Sequence, residues 1–148
     1  MTRIPSELGG SFLISSFSTA SVAEAMRHGI ISCRPETSLM TVARMMAGNH
    51  VHSIVVEDTV TGEDGGRPWG IVSDIDLARV GAEAENLTAA DVCSTDVVTV
   101  DHDQTVARAA QLMAEHETSH LIVVDSRQHP VGVISTLDLA GIIAWGRG

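Results

Sequence analysis

Two nine-residue segments of the chain have almost the same sequence: Gly70-Ile71-Val72-Ser73-Asp74-Ile75-Asp76-Leu77-Ala78 and Gly132-Val133-Ile134-Ser135-Thr136-Leu137-Asp138-Leu139-Ala140. Five of the nine positions are identical, and three more are apolar in both segments. In each, a short apolar run of the kind found in buried strands leads into Ser-x-x-Asp, which is typical of a helix start. The pair therefore predicts, twice in one chain, a strand followed directly by a helix.

The similarity extends upstream of these segments. Shifting the chain by 67 positions aligns Val22–Asp58 with Ala89–Asp125, and apolar positions fall on apolar positions through most of that window. The nine-residue segments themselves align at a shift of 62. The first copy therefore has five extra residues, which we place in the polar, Gly-rich loop Glu57–Arg67. The chain is a tandem repeat.

Hydrophobic periodicity predicts the same element order in both copies: strand, helix, strand, strand, helix, after a short helical lead-in. Apolar residues at spacings of three and four indicate the long helices, and continuous β-branched runs indicate buried strands that form a hairpin. The predicted ranges in the first copy are Val22–Met26, Ile30–Cys33, Ser38–Gly48, Val51–Val56, Trp69–Ser73 and Asp74–Val80. Those in the second copy are Ala89–Cys93, Val97–Val100, Thr105–His116, Ser119–Val124, Pro130–Ser135 and Thr136–Ala144.

The repeat predicts an α/β (α+β) fold in which each copy has a small sheet with flanking helices. One copy is too small to cover its sheet alone, so we expect the two to pack about a pseudo-twofold axis with a functional cleft between them. The predicted parts are an N-terminal arm (1–19), repeat 1 (20–80), a linker (81–87), repeat 2 (88–144) and a C-terminal tail (145–148).

Composition excludes several classes of function. A net charge of −10 and an aromatic content of 3% disfavour binding to nucleic acid or to an anionic membrane, which depends on clustered cations and stacking side chains. All nine cationic side chains are Arg, which excludes chemistry that needs Lys. Because there is no apolar run of about 20 residues, and because Met1–Phe17 lacks a secretion-signal pattern, we expect a cytoplasmic protein.

The repeat resembles the CBS domain family, in which two tandem copies form a CBS pair, or Bateman module. The resemblance covers roughly Ala20–Ile143, and its most specific element, Gly-apolar-apolar-Ser/Thr-x-x-Asp, is present at Gly70–Asp76 and again at Gly132–Asp138. It implies a non-enzymatic sensor that needs no cofactor. Such a sensor binds an adenosine-containing ligand (AMP, ADP, ATP or S-adenosylmethionine) between the copies and reports to a regulated protein. It also implies a homodimer that forms through the helices beginning at Asp74 and Thr136.

The resemblance further implies which residues contact the ligand. Asp76 and Asp138 would accept hydrogen bonds from the ribose hydroxyls, and Ser73 and Ser135 would contact a phosphate oxygen. The first strand and the start of the hairpin would form the wall around the base. The wall residues are Ile31, Ser32, Cys33, His52, Ser53 and Ile54 in the first copy, and Val98, Thr99, Val100, Ser119, His120 and Leu121 in the second.

The chain departs from the family pattern in the hairpin strand. Val55 and Ile122 stand where the family often has Pro, and the basic residues often found just before this strand are missing. His52 and His120 offer only a partial positive charge near neutral pH. This departure from the family pattern argues against tight binding of polyphosphates.

The conspicuous residues also have structural explanations. Ser-x-x-Asp alone can serve as a helix cap, and a cap is compatible with ligand binding. His50 and His52 lack a third ligand, so we predict no metal site. Cys33 and Cys93 lack Cys-x-x-Cys spacing and are expected to be buried thiols. With no catalytic constellation visible, the competing function is a structural or protein-interaction CBS module with ligand-free clefts.

Overall fold

The computed structural model describes residues 17–57 and 69–146. In chain order its elements are α1 (Val22–Ala25), β1 (Arg27–His28), β2 (Ser32–Cys33), α2 (Leu39–Asn49), β3 (Ser53–Glu57), β4 (Trp69–Ser73), α3 (Asp74–Val80), a 3-10 helix (Gly81–Asn86), α4 (Ala89–Val92), β5 (Thr99–Asp101), α5 (Val106–His116), β6 (His120–Val124), β7 (Pro130–Ser135) and α6 (Thr136–Trp145). They form two compact units. We call Ile30–Val97 the central unit, and Met1–Gly29 with Val98–Gly148 the terminal unit.

The central unit is built on a three-stranded sheet in the order β2-β3-β4. β3 lies in the middle, parallel to β2 and antiparallel to β4. The long helix α2 begins at the cap Ser38, whose side chain accepts from the N–H of Thr41, and ends at His50, which adopts a left-handed conformation. Buried apolar side chains of the helices and the sheet form one core, with Leu39, Val42, Ile54, Val56 and Val72 among them.

The terminal unit repeats this arrangement with one more strand, in the order β1-β7-β6-β5. β6 is parallel to β5 and antiparallel to β7, and β1 pairs antiparallel with β7. Helix α5 has the same design as α2, with Thr105 as its cap and Glu117 in a left-handed conformation at its end. The core contains Val22, Val106, Ala109, Leu121, Val123 and Ile134.

The predicted fold class and element order are confirmed. The structure differs from the prediction mainly in two connecting segments, the one that contains β1 and the predicted linker. A two-residue strand, β1, stands where no strand was predicted, because so short a strand has no periodicity to detect. The predicted linker begins with a 3-10 helix over Gly81–Asn86 that buries Ala84. The predicted N-terminal arm lies mostly, and the loop Glu57–Arg67 almost wholly, outside the described residues.

The compact units do not coincide with the sequence repeats. β1 precedes the first copy's sheet in sequence, yet Arg27 and His28 pair with Val133 and Gly132 of the second copy's hairpin. In the central unit, Ser94 occupies the equivalent place and exchanges two backbone hydrogen bonds of 2.9 Å with Ile71 of the first copy. Each unit therefore combines the body of one copy with the lead-in of the other.

The glycine that begins each nine-residue segment makes room for this exchange. A Cβ atom on Gly132 would lie 2.5 Å from the carbonyl oxygen of Arg27, and one on Gly70 would lie 2.7 Å from that of Ser94. Both distances are far below van der Waals contact, so any larger residue would push the exchanged backbone away from the sheet.

We expect Gly132→Ala to lower the free energy of unfolding by about 1–3 kcal/mol, since the new methyl group overlaps backbone atoms that cannot move independently. Urea unfolding measures this cost. Gly141→Ala is the matched control, because Gly141 lies in α6 with nothing within 4 Å of its added Cβ. There Ala should stabilise by up to about 1 kcal/mol. Equal effects of the two variants would contradict the close-approach explanation.

Candidate ligand-binding site

Each sheet has one edge at which the predicted ligand-contacting segments meet. In the central unit Ser73, the last residue of β4, lies opposite Ser53, the first residue of β3. In the terminal unit Ser135 lies opposite His120 in the same way. Because β2 runs parallel to β3, and β5 runs parallel to β6, the starts of β2 and β5 lie at these edges as well. We call these two places the first and the second motif edge.

At the first motif edge, Ser73 and Asp76 form a closed set of hydrogen bonds. The Ser73 N–H donates to Oδ2 of Asp76 at 2.8 Å, and the Ser73 hydroxyl donates to the same oxygen at 3.0 Å. The N–H of Asp76 donates back to Oγ of Ser73 at 3.2 Å. This is a capping box, and it fixes the carboxylate through one oxygen only.

The second motif edge has the same geometry. The N–H and the hydroxyl of Ser135 donate to Oδ2 of Asp138 at 2.8 and 3.1 Å, and the N–H of Asp138 donates to Oγ of Ser135 at 3.4 Å. Ser135 and Asp138 are half-buried, as are their counterparts in the first copy. The structural and ligand-binding explanations of Ser-x-x-Asp are therefore compatible, since Oδ1 takes no part in the cap.

A third capping box lies outside these edges, at the start of α4. The N–H and the hydroxyl of Thr88 donate to Oδ2 of Asp91 at 2.8 and 3.1 Å. The cap alone therefore does not define a ligand site. What distinguishes the two motif edges is that their caps follow a hairpin strand and are joined by the starts of two more strands.

A histidine–aspartate contact and an arginine–aspartate ion pair lie around the first motif edge. Nδ1 of His52 lies 2.9 Å from Oδ2 of Asp74, and both side chains are about half exposed. Nη1 of Arg79 lies 3.9 Å from Oδ1 of Asp76. Neither Asp74 nor Arg79 was among the residues assigned from the sequence. The spacing alone could have identified Arg79 as an ion-pair partner of Asp76, because the two lie three residues apart on one helix.

The predicted wall residues fall into two groups. Cys33 and Ile54 are 8% and 0% exposed and belong to the core of the central unit, while Val100 and Leu121, 4% and 1% exposed, belong to that of the terminal unit. These four side chains are committed to packing, so only their backbone could contact a ligand. Of the other wall residues, His52 is exposed. The rest are half-buried, and they are Ile31, Ser32, Ser53, Val98, Thr99, Ser119 and His120. Their ligand contacts stay a prediction.

The environment of both cysteines favours the thiol over the reactive thiolate. Burial raises the pKa of the Cys33 thiol, although a hydrogen bond with Thr37 opposes the shift. Burial also raises the pKa of Cys93, and the nearby Asp76 carboxylate adds to the effect. Both thiols are therefore protonated at neutral pH, whereas a nucleophilic cysteine needs a lowered pKa.

Two further functional features are missing from the part of the chain that the structure describes. Across residues 17–57 and 69–146, no group of three or more His, Cys, Asp or Glu side chains is placed to hold a metal ion. In the same ranges, every helix is too short or too polar to span a bilayer.

The fold and the duplicated motif define a tandem αβ repeat protein. The CBS domain model matches residues 22–83 and 89–144, so the chain belongs to the CBS domain family. Its fold is similar to that of the CBS domain pair of protein MJ0100 in complex with 5-methylthioadenosine and S-adenosyl-L-methionine. The identity is 21% and the TM-score 0.72, over 84% of this chain and 96% of that chain.

Two further relatives have higher identity. The CBS domain protein PAE2072 from Pyrobaculum aerophilum, complexed with AMP, is 26% identical with a TM-score of 0.68, over 80% of this chain and 89% of that chain. A homoserine O-acetyltransferase of Methanosphaerula palustris is 30% identical over 131 residues, which is 86% of this chain and 24% of the enzyme. The chain spans 24–61% of the length of the first three curated relatives it matches.

We expect both thiols to react with iodoacetamide at least about tenfold more slowly at pH 7 in the folded chain than in urea, because burial limits access and disfavours the thiolate. The rate should rise with pH well beyond the range in which a free cysteine ionises. Mass spectrometry of the alkylated peptides reports each thiol separately. If either thiol reacts as fast in the folded chain as in urea, burial neither limits its access nor disfavours its thiolate, and the prediction is wrong.

Proposed function

We propose that the chain is a non-catalytic regulatory module that binds an adenosine-containing ligand at its motif edges. The observation that carries this proposal is the duplicated carboxylate, Asp76 and Asp138, each held through Oδ2 by its serine. A carboxylate fixed through one oxygen keeps the other for a second task. Accepting hydrogen bonds from the vicinal hydroxyls of a ribose suits it well.

The AMP complex of the Pyrobaculum aerophilum protein supports this ligand class, as does the complex with 5-methylthioadenosine and S-adenosyl-L-methionine. These ligands share an adenosine and differ in what is attached at its 5′ position. Our proposal therefore fixes the adenosine and leaves the 5′ substituent open among AMP, ADP, ATP and S-adenosylmethionine. Such ligands are cytoplasmic metabolites, so we propose that the module works in the cytoplasm.

The alternative is a structural or protein-interaction module whose motif edges hold no ligand. It is favoured by the capping boxes, which give Ser73 and Ser135 a role without any ligand. The third box, at Thr88 and Asp91, lies away from the motif edges and has the same two hydrogen bonds to its carboxylate, so it supplies a control for the loss of a cap.

The test is a thermal-shift and calorimetric titration with AMP, ADP, ATP, NAD and S-adenosylmethionine. At least one should raise the melting temperature, since a ligand that binds only the folded state stabilises it. The double variant Asp76→Asn/Asp138→Asn should lose that response, because an amide accepts fewer hydrogen bonds from a ribose diol than a carboxylate does.

Asp91→Asn is the matched control. It weakens an equivalent cap and should cost a similar part of the stability per site, about 1 kcal/mol or less, while the ligand response is retained. If no ligand shifts the melting temperature of the wild type, or if the response survives the double variant, the ligand-binding proposal fails and the structural module is favoured.

We propose that the module also forms a homodimer and acts on a separate regulated protein. Helix α6 exposes Leu137 (65%), Ile143 (50%) and Trp145 (84%), and α3 exposes Ile75 (52%). Large apolar side chains this exposed are unfavourable in water, and a second copy of the chain would cover them.

Leu137→Arg/Trp145→Arg should convert the dimer into a monomer, because two charges would be buried without partners in the interface. Light scattering coupled to size exclusion gives the mass directly. Glu115→Arg, at an exposed polar position of α5, is the control for the change of charge. A wild-type chain that is monomeric at all accessible concentrations would contradict the dimer.

A further inference from the structure

Helix α6 has an apolar notch on its outward face. Leu137, Gly141 and Trp145 follow one another at intervals of four residues, which places them on one face of the helix. Leu137 and Trp145 are 65% and 84% exposed, whereas Leu139 and Ile142 are 9% and 7% exposed and belong to the core. A Cβ atom on Gly141 would meet nothing within 4 Å. The space over Gly141, between the two large apolar side chains, is what we call the α6 notch.

The equivalent helix of the first copy has no such notch. α3 has Arg79 where α6 has Gly141, and it ends at Val80, which aligns with Ile142. α6 continues for three more residues, 143–145, and all three are apolar and exposed. The notch is therefore a feature of the terminal unit, so an occupant supplied by the chain itself should also belong to that unit.

The lead-in segments enter the two units in the same way. The first N–H of α2 donates to the carbonyl of Leu87, and the first N–H of α5 donates to that of Ala20, at 2.9 Å in both cases. Because the lead-ins align at a shift of 67 positions, Phe17 takes the place of Ala84. Ala84 is buried in the core of the central unit, and Phe17 packs against the core of the terminal unit.

The chain that precedes these two residues differs between the units. In the central unit α3 itself leads to Ala84, through the 3-10 helix. In the terminal unit the N-terminal arm leads to Phe17, and residues 12–14 of this arm are Phe, Leu and Ile. The extra apolar run and the apolar notch therefore belong to the same unit, and the central unit has neither.

The arm is long enough to reach the notch. Ala84 follows the end of α3 at Val80 by four residues, so Phe17 lies within about 14 Å of Ile142, the position in α6 equivalent to Val80. The three residues from Phe17 back to Ile14 span about 10 Å more when extended. The exposed face from Leu137 to Trp145 is itself only about 12 Å long.

Charge and tethering favour the arm over a second copy as the occupant. A second copy brings a net charge of −10 against an equal charge, and the two repel each other. Positions 8–23 of the arm and lead-in are uncharged. A segment tethered so closely to its site also has an effective concentration of about a millimolar.

We propose that the N-terminal arm docks residues 12–14 in the α6 notch and thereby competes with a second copy of the chain for this face. The docking is independent of the ligand, and the competition rests on the proposed dimer. The arm is then an autoinhibitory segment, and α6 becomes available to a partner when the arm leaves it.

Trp145 reports the docking once the other tryptophan is removed by Trp69→Phe. Quenching by acrylamide is measured in this background, at a concentration where light scattering gives the mass of a monomer. Phe12→Ser/Ile14→Ser should raise the quenching constant at least about twofold, because the arm loses most of the apolar area that it buries against the indole.

Ser11→Ala/Ser15→Ala is the matched control, since it changes two polar positions of the same segment and should leave the quenching constant unchanged. If Phe12→Ser/Ile14→Ser quenches no more than the background, the docking proposal is overturned.

Gly141→Arg tests the notch from the side of the helix, because it introduces the residue that the first copy has there. Open space surrounds Gly141, and Arg is a better helix former than Gly, so unfolding would not explain an effect. The quenching of Trp145 should rise as it does in the arm variant. An unchanged value would show that the arm does not bind in the notch.

Sedimentation equilibrium tests the competition separately. Phe12→Ser/Ile14→Ser should tighten the dimer at least about tenfold, because a tethered competitor is removed. An unchanged or weaker dimer would overturn the competition. If the wild type and every arm variant are monomeric, the proposed dimer fails and the competition fails with it, whereas the quenching data still decide whether the arm docks.

Discussion

The structure depends on a close contact between a glycine in a hairpin strand and the backbone of a lead-in segment. In each unit a lead-in segment from the other copy lies so close to the second hairpin strand that no side chain fits at Gly70 or Gly132. The contact extends the sheet through Ser94 in one unit and through β1 in the other. It also holds the strand that leads, three residues later, into the motif serine. The position of the capping box is therefore linked to the backbone contact at the glycine, three residues earlier on the same strand.

Duplication has preserved the backbone of the motif edges and let their side chains diverge. The capping hydrogen bonds differ by at most 0.2 Å between copies, from 3.2 Å at Asp76 to 3.4 Å at Asp138. The residues around them differ in charge, as at Asp74 and Thr136. Capping stabilises both helix starts whatever is bound, so it maintains the frame while the neighbouring positions remain free to change. A tandem repeat can therefore hold one recognition element in two chemical environments.

Periodicity and cap chemistry were sufficient to predict the helices and hairpins, because α2 and α5 each bury one regular face and the central hairpin strands are continuous apolar runs. The exchange of lead-in segments could not be predicted, since it depends on pairing between residues that lie far apart in the chain. For the site, Ser-x-x-Asp located both helix starts. Cys33 and Leu121 were assigned to a ligand wall from resemblance alone, yet their side chains belong to the cores. Strand position does not tell which face a side chain takes when the whole run is apolar.

The exchange of segments has a consequence for folding during synthesis. The residues that complete the central unit are contiguous, from Ile30 to Val97, so this unit can form as soon as they leave the ribosome. Arg27, by contrast, pairs with Val133, more than a hundred residues later. The early segment must stay unpaired until the last hairpin emerges, and closing so long a loop is slow. Vectorial synthesis thus imposes an order on two units that are otherwise built alike.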